Sequence, residues 1–261
     1  LINDAQRFSA SCLKIRQMLN TKAQIPVEVQ EGTAKIRGNV EFKNVSFHFS
    51  DDENTNVLTD VSFDIHPGQT IGILGETGSG KTTLVNLVAR FYDPTSGQVL
   101  IDGKDAKSYP VRQLRENIAM VMQDVFLFSN TIEENIAFGN PHAEPNYIQR
   151  VAEIADAHAF ISKMPEGYET IVGERGVGLS GGQKQRISLA RALAKDPSIL
   201  ILDDTTSAVD METESKIQKE LSKLTEEKTT FIIAHRISSV RDADVILMMA
   251  KGHVIESGTH Q

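Results

Sequence analysis

Cysteine, basic charge and long apolar runs are scarce in this sequence. One cysteine, Cys12, occurs in 261 residues, so no disulfide can form within the chain, as suits a reducing compartment. Lys and Arg number 27 against 35 Asp and Glu, a formal net charge of −8. That balance removes the broad basic surface on which non-specific nucleic-acid binding draws. An anion bound here must be held by local geometry rather than by a global positive field. No apolar run approaches the roughly 18 residues of a membrane-spanning helix, and no signal peptide is recognisable. Internal repeats and low-complexity tracts are also missing.

What remains is an ordinary folded composition, 40% hydrophobic and 24% charged, long enough for one large domain or two small ones. The chain starts at Leu1 rather than Met and stops at "GTHQ", which suggests a fragment or an excised domain. In residues 1–20, Phe8, Cys12, Ile15 and Leu19 recur at helical spacing. That helix either packs on the domain's own core or ends a longer helix from a missing upstream region. Residues 21–38 read as a polar linker broken by Pro26, Gly32 and Gly38.

From Asn39 the pattern changes. "VEFKNVSFHF" and "NVLTDVSFDI" read as strands, and "TIGILG" as a short buried one. A glycine-rich turn then opens a helix with Leu84, Leu87, Val88 and Phe91 on one face. Residues from about 124 to 195 read as helices and loops. The runs "ILILD", "TTFIIAH" and "ADVILMM" suit buried parallel strands, and "KGHVIESG" a closing hairpin arm. Strands alternating with helices predict an α/β domain.

Three stretches carry chemistry. "GETGSGKT", Gly75 to Thr82, has the G-x-x-x-x-G-K-[ST] spacing, follows a strand and opens a helix. Gly75, Gly78 and Gly80 let successive N–H groups turn inward onto phosphate oxygens, and the helix N-terminus adds its positive end. Lys81 reaches the β- and γ-phosphates, and the Thr82 hydroxyl takes a Mg²⁺ position. The bland alternative is a glycine-rich turn that binds nothing. In "ILILDD", Asp203 stands at the carboxyl end of a strand, where α/β sheets bind ligands, and can orient Mg²⁺ through water. As a bland alternative it caps a turn. Asp204 stands where a base would polarise the attacking water. Its basicity is adequate, but its side chain is one methylene shorter than Glu, and phosphoryl transfer depends on position. In "LSGGQKQRISLARALAKDP", Ser180 and Gln183 form an S-x-x-Q capping box, Ile187, Ala190, Leu193 and Ala194 an apolar face, and Asp196-Pro197 a stop.

Taken in order, "GETGSGKT", "LSGGQ" and "ILILDD" resemble an ATP-binding cassette (ABC) ATPase domain over roughly residues 39 to 261. The resemblance implies a P-loop NTPase (RecA-like) core with a small antiparallel β-subdomain and an inserted α-helical subdomain at about 124–195. It implies ATP and Mg²⁺ as ligands, with Glu76, Thr77, Ser79 and Thr83 completing the cradle. Two such domains pair head to tail, so Ser180, Gly181, Gly182 and Gln183 would contact ATP held by the partner. Gln123 is similar to the Q-loop glutamine that senses Mg²⁺ and water, and His235 to the switch histidine; alone, His235 would be an ordinary strand-end residue. Ser207 and Asp210, in "SAVD", resemble the dimer-facing loop. Phe49 aligns with the aromatic residue that stacks on adenine; without the family it reads as core.

"VFLFSNTIEENIAFG" resembles the segment where exporters receive the coupling helices of the membrane domain. "GERGVGLSGGQ", with Glu174 and Arg175, resembles the exporter loop before the signature. The resemblance therefore implies an export-type half-transporter at the cytoplasmic face of the cell membrane, partnered by its own and a second subunit's membrane domains and a second ATPase domain, with no nucleic acid. Asp204 departs from the family, which usually has Glu there. That departure implies the slower, degenerate site of a heterodimer. The alternatives are a soluble cassette ATPase acting on nucleic acid or ribosomes, and a non-hydrolysing nucleotide-binding regulator.

Overall fold

The computed structural model of the chain describes residues 2–21, 23, 25, 35–52, 55–173, 176–204, 211–224 and 228–259. An amino-terminal helix, α1 (Ile2–Asn20), precedes the strands β1 (Val40–Phe47) and β2 (Leu58–Ile65). Strand β3 (Thr70–Gly75) leads through a tight loop into α2 (Lys81–Val88). There follow β4 (Ser96–Ile101), β5 (Lys104–Asp105), α3 (Val111–Glu116) and β6 (Ile118–Val121). Four helices come next: α4 (Ile132–Ala137), α5 (Pro145–Ile154), α6 (His158–Ile161) and α7 (Gly181–Ala194). The last part alternates again, with β7 (Ile199–Asp203), α8 (Met211–Leu224), β8 (Thr229–Ile233), β9 (Val245–Ala250) and β10 (His253–Gly258).

The strands form an antiparallel sheet of order β2-β1-β4-β5 and a second sheet of order β10-β9-β3-β8-β7-β6. In the second sheet β9, β3, β8, β7 and β6 run parallel, and β10 returns antiparallel to β9. This is the α/β architecture that the alternation of strands and helices predicts.

Strand β7 shows how "ILILD" builds it. Successive side chains point to opposite faces of a strand. Ile199 and Ile201 join the core that gathers β1, β2, β4 and α2, while Leu200 and Leu202 join the core of α4, α5 and α7. All five residues are buried, so the run is continuously apolar rather than alternating. At about 1.5–3 kcal/mol per fully buried aliphatic side chain, these four residues tie both layers to one strand.

Of the two readings of α1, packing on the domain's own core does not hold: Phe8, Ile15 and Leu19 are 72%, 59% and 81% exposed. One expectation needs correction. Helix α2 stops at Val88, Arg90 turns the chain at φ 50°, and Phe91 lies exposed beneath the Arg115 guanidinium instead of on the helix face. Strand β6 had no sequence signal, because the four residues "IAMV" are too short for a period. Glu174, Arg175, Ser207 and Asp210, and most of the linker, lie outside the described residues. Among the described residues no helix is long and apolar enough to cross a membrane.

Candidate functional site

The carboxyl ends of β3, β7 and β8 lie side by side, because Asp203 registers with Ile233 and Ile73 with Ile233. The segments leaving these strands therefore meet at one place. A cleft of about 230 Å³ forms there, lined by Val57, Thr77, Gly78, Gly80, Lys81, Thr82, Thr83, Gln123, Asp203, Ile233 and His235. Nine of the sequence-predicted site residues thus come together. Val57 and Ile233 had no polar signal to announce them.

The loop between β3 and α2 has little freedom. A Cβ on Gly75 would collide with the carbonyl oxygen of Met249. At Gly80, φ is 100° and a Cβ would sit 2.8 Å from the Val57 carbonyl oxygen and 2.7 Å from Leu58 Cδ2. Glycine is the residue that fits both constraints. Ser79 is buried, and its Oγ finds no hydrogen-bond partner among the described residues. A loop built to meet an external acceptor leaves such a donor unused.

Lys81 folds back on this loop. Its Nζ donates to the carbonyls of Gly75 at 2.7 Å and Glu76 at 2.8 Å. Burial holds the ammonium below its usual pKa, while Asp203 and Asp204 pull it back up. The Thr82 hydroxyl donates to Asp203 Oδ2 at 3.1 Å. Asp203 is buried, and burial raises its carboxyl above the usual range; the Thr82 hydrogen bond opposes this, Asp204 adds to it, and Lys81 and His235 oppose it. A hydroxyl beside a carboxylate offers hard oxygen donors of the kind Mg²⁺ selects. Among the described residues no three His, Cys, Asp or Glu side chains converge on a metal. A Mg²⁺ ion here would draw on water and phosphate oxygens as well as protein donors, as it usually does.

Asp204 adopts φ 47°, and its N–H donates to the Ile233 carbonyl at 3.0 Å. The carboxylate is half-buried beside Asp203, near Lys81. Gln123 and His235 are exposed within the cleft. Phe49 does not line it. Its ring is 36% exposed and stands edge-on to Phe47 at 5.0 Å and Tyr92 at 5.4 Å, so it is not the core residue its composition suggests.

The glycine-rich start of α7 lies apart from the cleft-lining residues. Ser180 Oγ accepts from Gln183 N at 3.2 Å, and Gln183 Oε1 accepts from Ser180 N at 2.9 Å, so the predicted capping box forms in both directions. Ser180 and Gly181 are exposed, and no residue of this helix start lines the cleft. Further along α7, Arg191 donates from Nε to Asn135 O at 2.7 Å, from Nη1 to Phe126 O at 2.8 Å and from Nη2 to Asn135 Oδ1 at 2.7 Å. It also stacks near Phe128 and Phe138. These rings form an exposed aromatic cluster with Phe126, with centroids 5.2 and 4.6 Å apart. A larger cavity of about 380 Å³, lined in part by Thr70, Gln218, Thr230 and Arg241, opens at the amino ends of β3 and β8, away from all these groups.

The family described as ABC transporter matches residues 58–207. "Putative multidrug export ATP-binding/permease protein YgaD" of Bacillus subtilis is 54% identical over 87% of this chain and 39% of its own length. "Uncharacterized ABC transporter ATP-binding protein YknU" from the same organism is 52% identical over 87% of this chain and 38% of its own length. The chain thus spans about two fifths of these curated relatives. A solved structure described as a bacterial Atm1-family ABC exporter with ATP bound matches 98% of this chain and 44% of its own, at 36% identity and a TM-score of 0.90.

Proposed function

The chain belongs to the ABC transporter family and carries its ATPase domain, and on that premise we propose that it powers substrate export from the cytoplasmic face of a cell membrane. One observation carries the reading: Lys81, Thr82, Gln123, Asp203 and His235, drawn from four separate segments, line one cleft with the glycine-rich loop. In this reading Gly75 to Thr83 wrap the phosphates of ATP with backbone N–H groups, and Lys81 leaves the carbonyls of Gly75 and Glu76 for the β- and γ-phosphates. Thr82, Asp203 and Gln123 would hold Mg²⁺, which when bound would supply neutralisation of charge on the transferring phosphoryl group. Asp204 and His235 position the attacking water, and Phe49 stacks on adenine. Replacing Lys81 with Ala should abolish nucleotide binding or turnover at this cradle; unchanged turnover there would contradict the cradle.

A second ATPase domain completes the machine. Ser180 to Gln183 contact the ATP held in its cradle, with Ser207 and Asp210 at the same interface. Support comes from the exposed, capped start of α7, which is not among the residues lining this chain's own cleft. The exposed ring cluster of Phe126, Phe128 and Phe138 receives the coupling helices of the membrane domains. The partner is a different subunit, and this chain contributes the slower cradle. Asp204 is the reason: it retains the charge but shortens the reach, while Gln123 and His235 remain.

A further inference from the structure

Beside the exposed aromatic cluster lies a groove of about 370 Å³ between α3, β6 and α7, rimmed by Phe91 and Phe138 and walled by Met120. Three cations face it: Arg115, Arg191 and Lys195. Their partners are all uncharged oxygens. Arg115 Nη2 donates to Arg90 O at 2.8 Å, and its buried Nε has no partner among the described residues. Lys195 Nζ donates to Arg115 O at 2.6 Å and Ile118 O at 2.9 Å, which leaves one of its three N–H donors over. Arg191 is committed to Asn135 and Phe126. The carboxylate whose field reaches Lys195, Glu116, is ion-paired to Arg112 at 2.8 Å.

Three partly desolvated cations without a carboxylate are an anomaly in a chain of net charge −8. Burial lowers the pKa of all three, that of Arg191 to about 10, so each holds its proton at a cost that a nearby anion would relieve. The apolar rim argues against a free anion. It suits a helix that seats an apolar side chain on the rings while an acidic one reaches inward.

We propose that this groove takes a carboxylate side chain from the docking helix of a membrane domain, bound by Arg115 and Lys195 beside Arg191. This assignment rests on the reading of the aromatic cluster as the surface that receives such helices. It turns a general apolar contact into a specific one, since a docking helix without the carboxylate would leave the cations unpaired.

The test uses the full transporter in vesicles. Arg115→Glu should lower substrate-stimulated ATP turnover about tenfold, and Arg115→Lys should keep most of it. Arg115→Gln serves in its place if the reversed variant fails to fold. Each Asp or Glu in the cytosolic loops of the membrane domains is then changed to Arg in the Arg115→Glu background. One of these reversals should restore at least half of the stimulated turnover. Full stimulation in Arg115→Glu, or rescue by no loop position, would overturn the proposal. In parallel, Phe138→Cys is tested for crosslinking to single cysteines along the same loops. Crosslinking without rescue rejects the carboxylate while leaving the docking surface standing. No crosslink at any position rejects the docking surface, and the proposal falls with it.

Discussion

At the scale of a single residue, the proposed slower cradle turns on Asp204. Its φ of 47° lies in the left-handed region, which Asp tolerates better than longer side chains do. Glu at this position would gain reach but meet that backbone at a cost of about 1–2 kcal/mol. A misplacement of about 1 Å can cost on the order of a hundredfold in rate, so the gain in reach should outweigh the strain. We expect Asp204→Glu to raise turnover at this cradle by roughly tenfold or more, read with the partner's cradle disabled. A flat or falling rate would show that side-chain length was not limiting. The cradle residues were legible in the sequence because a strand, a glycine-rich loop and a helix are contiguous there. The Asp204 dihedral and its N–H bond to Ile233 were not, because they depend on a strand 29 residues away. Phe49 was misjudged as core by composition for the same reason: its exposure is set by the β1–β2 loop and Tyr92.

At the scale of elements, α7 joins two surfaces. Its amino end presents Ser180 to Gln183, and its last turn carries Arg191, which pins the loop of Phe126 and Phe128 and the fully buried Asn135. Arg191→Leu removes three hydrogen bonds and leaves the Asn135 oxygens short of partners. It should destabilise the domain by about 2–4 kcal/mol in urea unfolding. Arg191→Lys should recover only part of that, because an ammonium cannot reproduce the forked geometry. A loss below about 0.5 kcal/mol for Leu would show that the clamp is not structural. The helix itself was readable from its capping box and apolar period. The clamp was not, since nothing local ties Arg191 to Asn135, 56 residues earlier. Likewise "ILILD", "TTFII" and "VILMM" announced parallel strands, but their order, with β3 between β9 and β8, comes from long-range pairing that no local period encodes.

For the proposed pair of ATPase domains the question is how two cradles share the work. Ser180→Ala should weaken hydrolysis at the partner's cradle more than at its own. It should also cost about 1 kcal/mol of helix stability by removing the cap, so thermal melting must be recorded beside turnover. A mixed dimer with one dead cradle separates the two effects. If the variant slows only this chain's own cradle, the head-to-tail arrangement is wrong.

The central claim is that this chain binds ATP in the cleft at the ends of β3, β7 and β8 and supplies the slower half of an unequal pair. Steady-state ATP turnover of the assembled transporter tests it most directly, with the cradle lysine changed to Ala first in this chain, at Lys81, and then in the partner. The account predicts that Lys81→Ala removes nucleotide from this cradle yet lowers total turnover severalfold less than the same change in the partner. Equal losses, or a larger loss from Lys81→Ala, would contradict it.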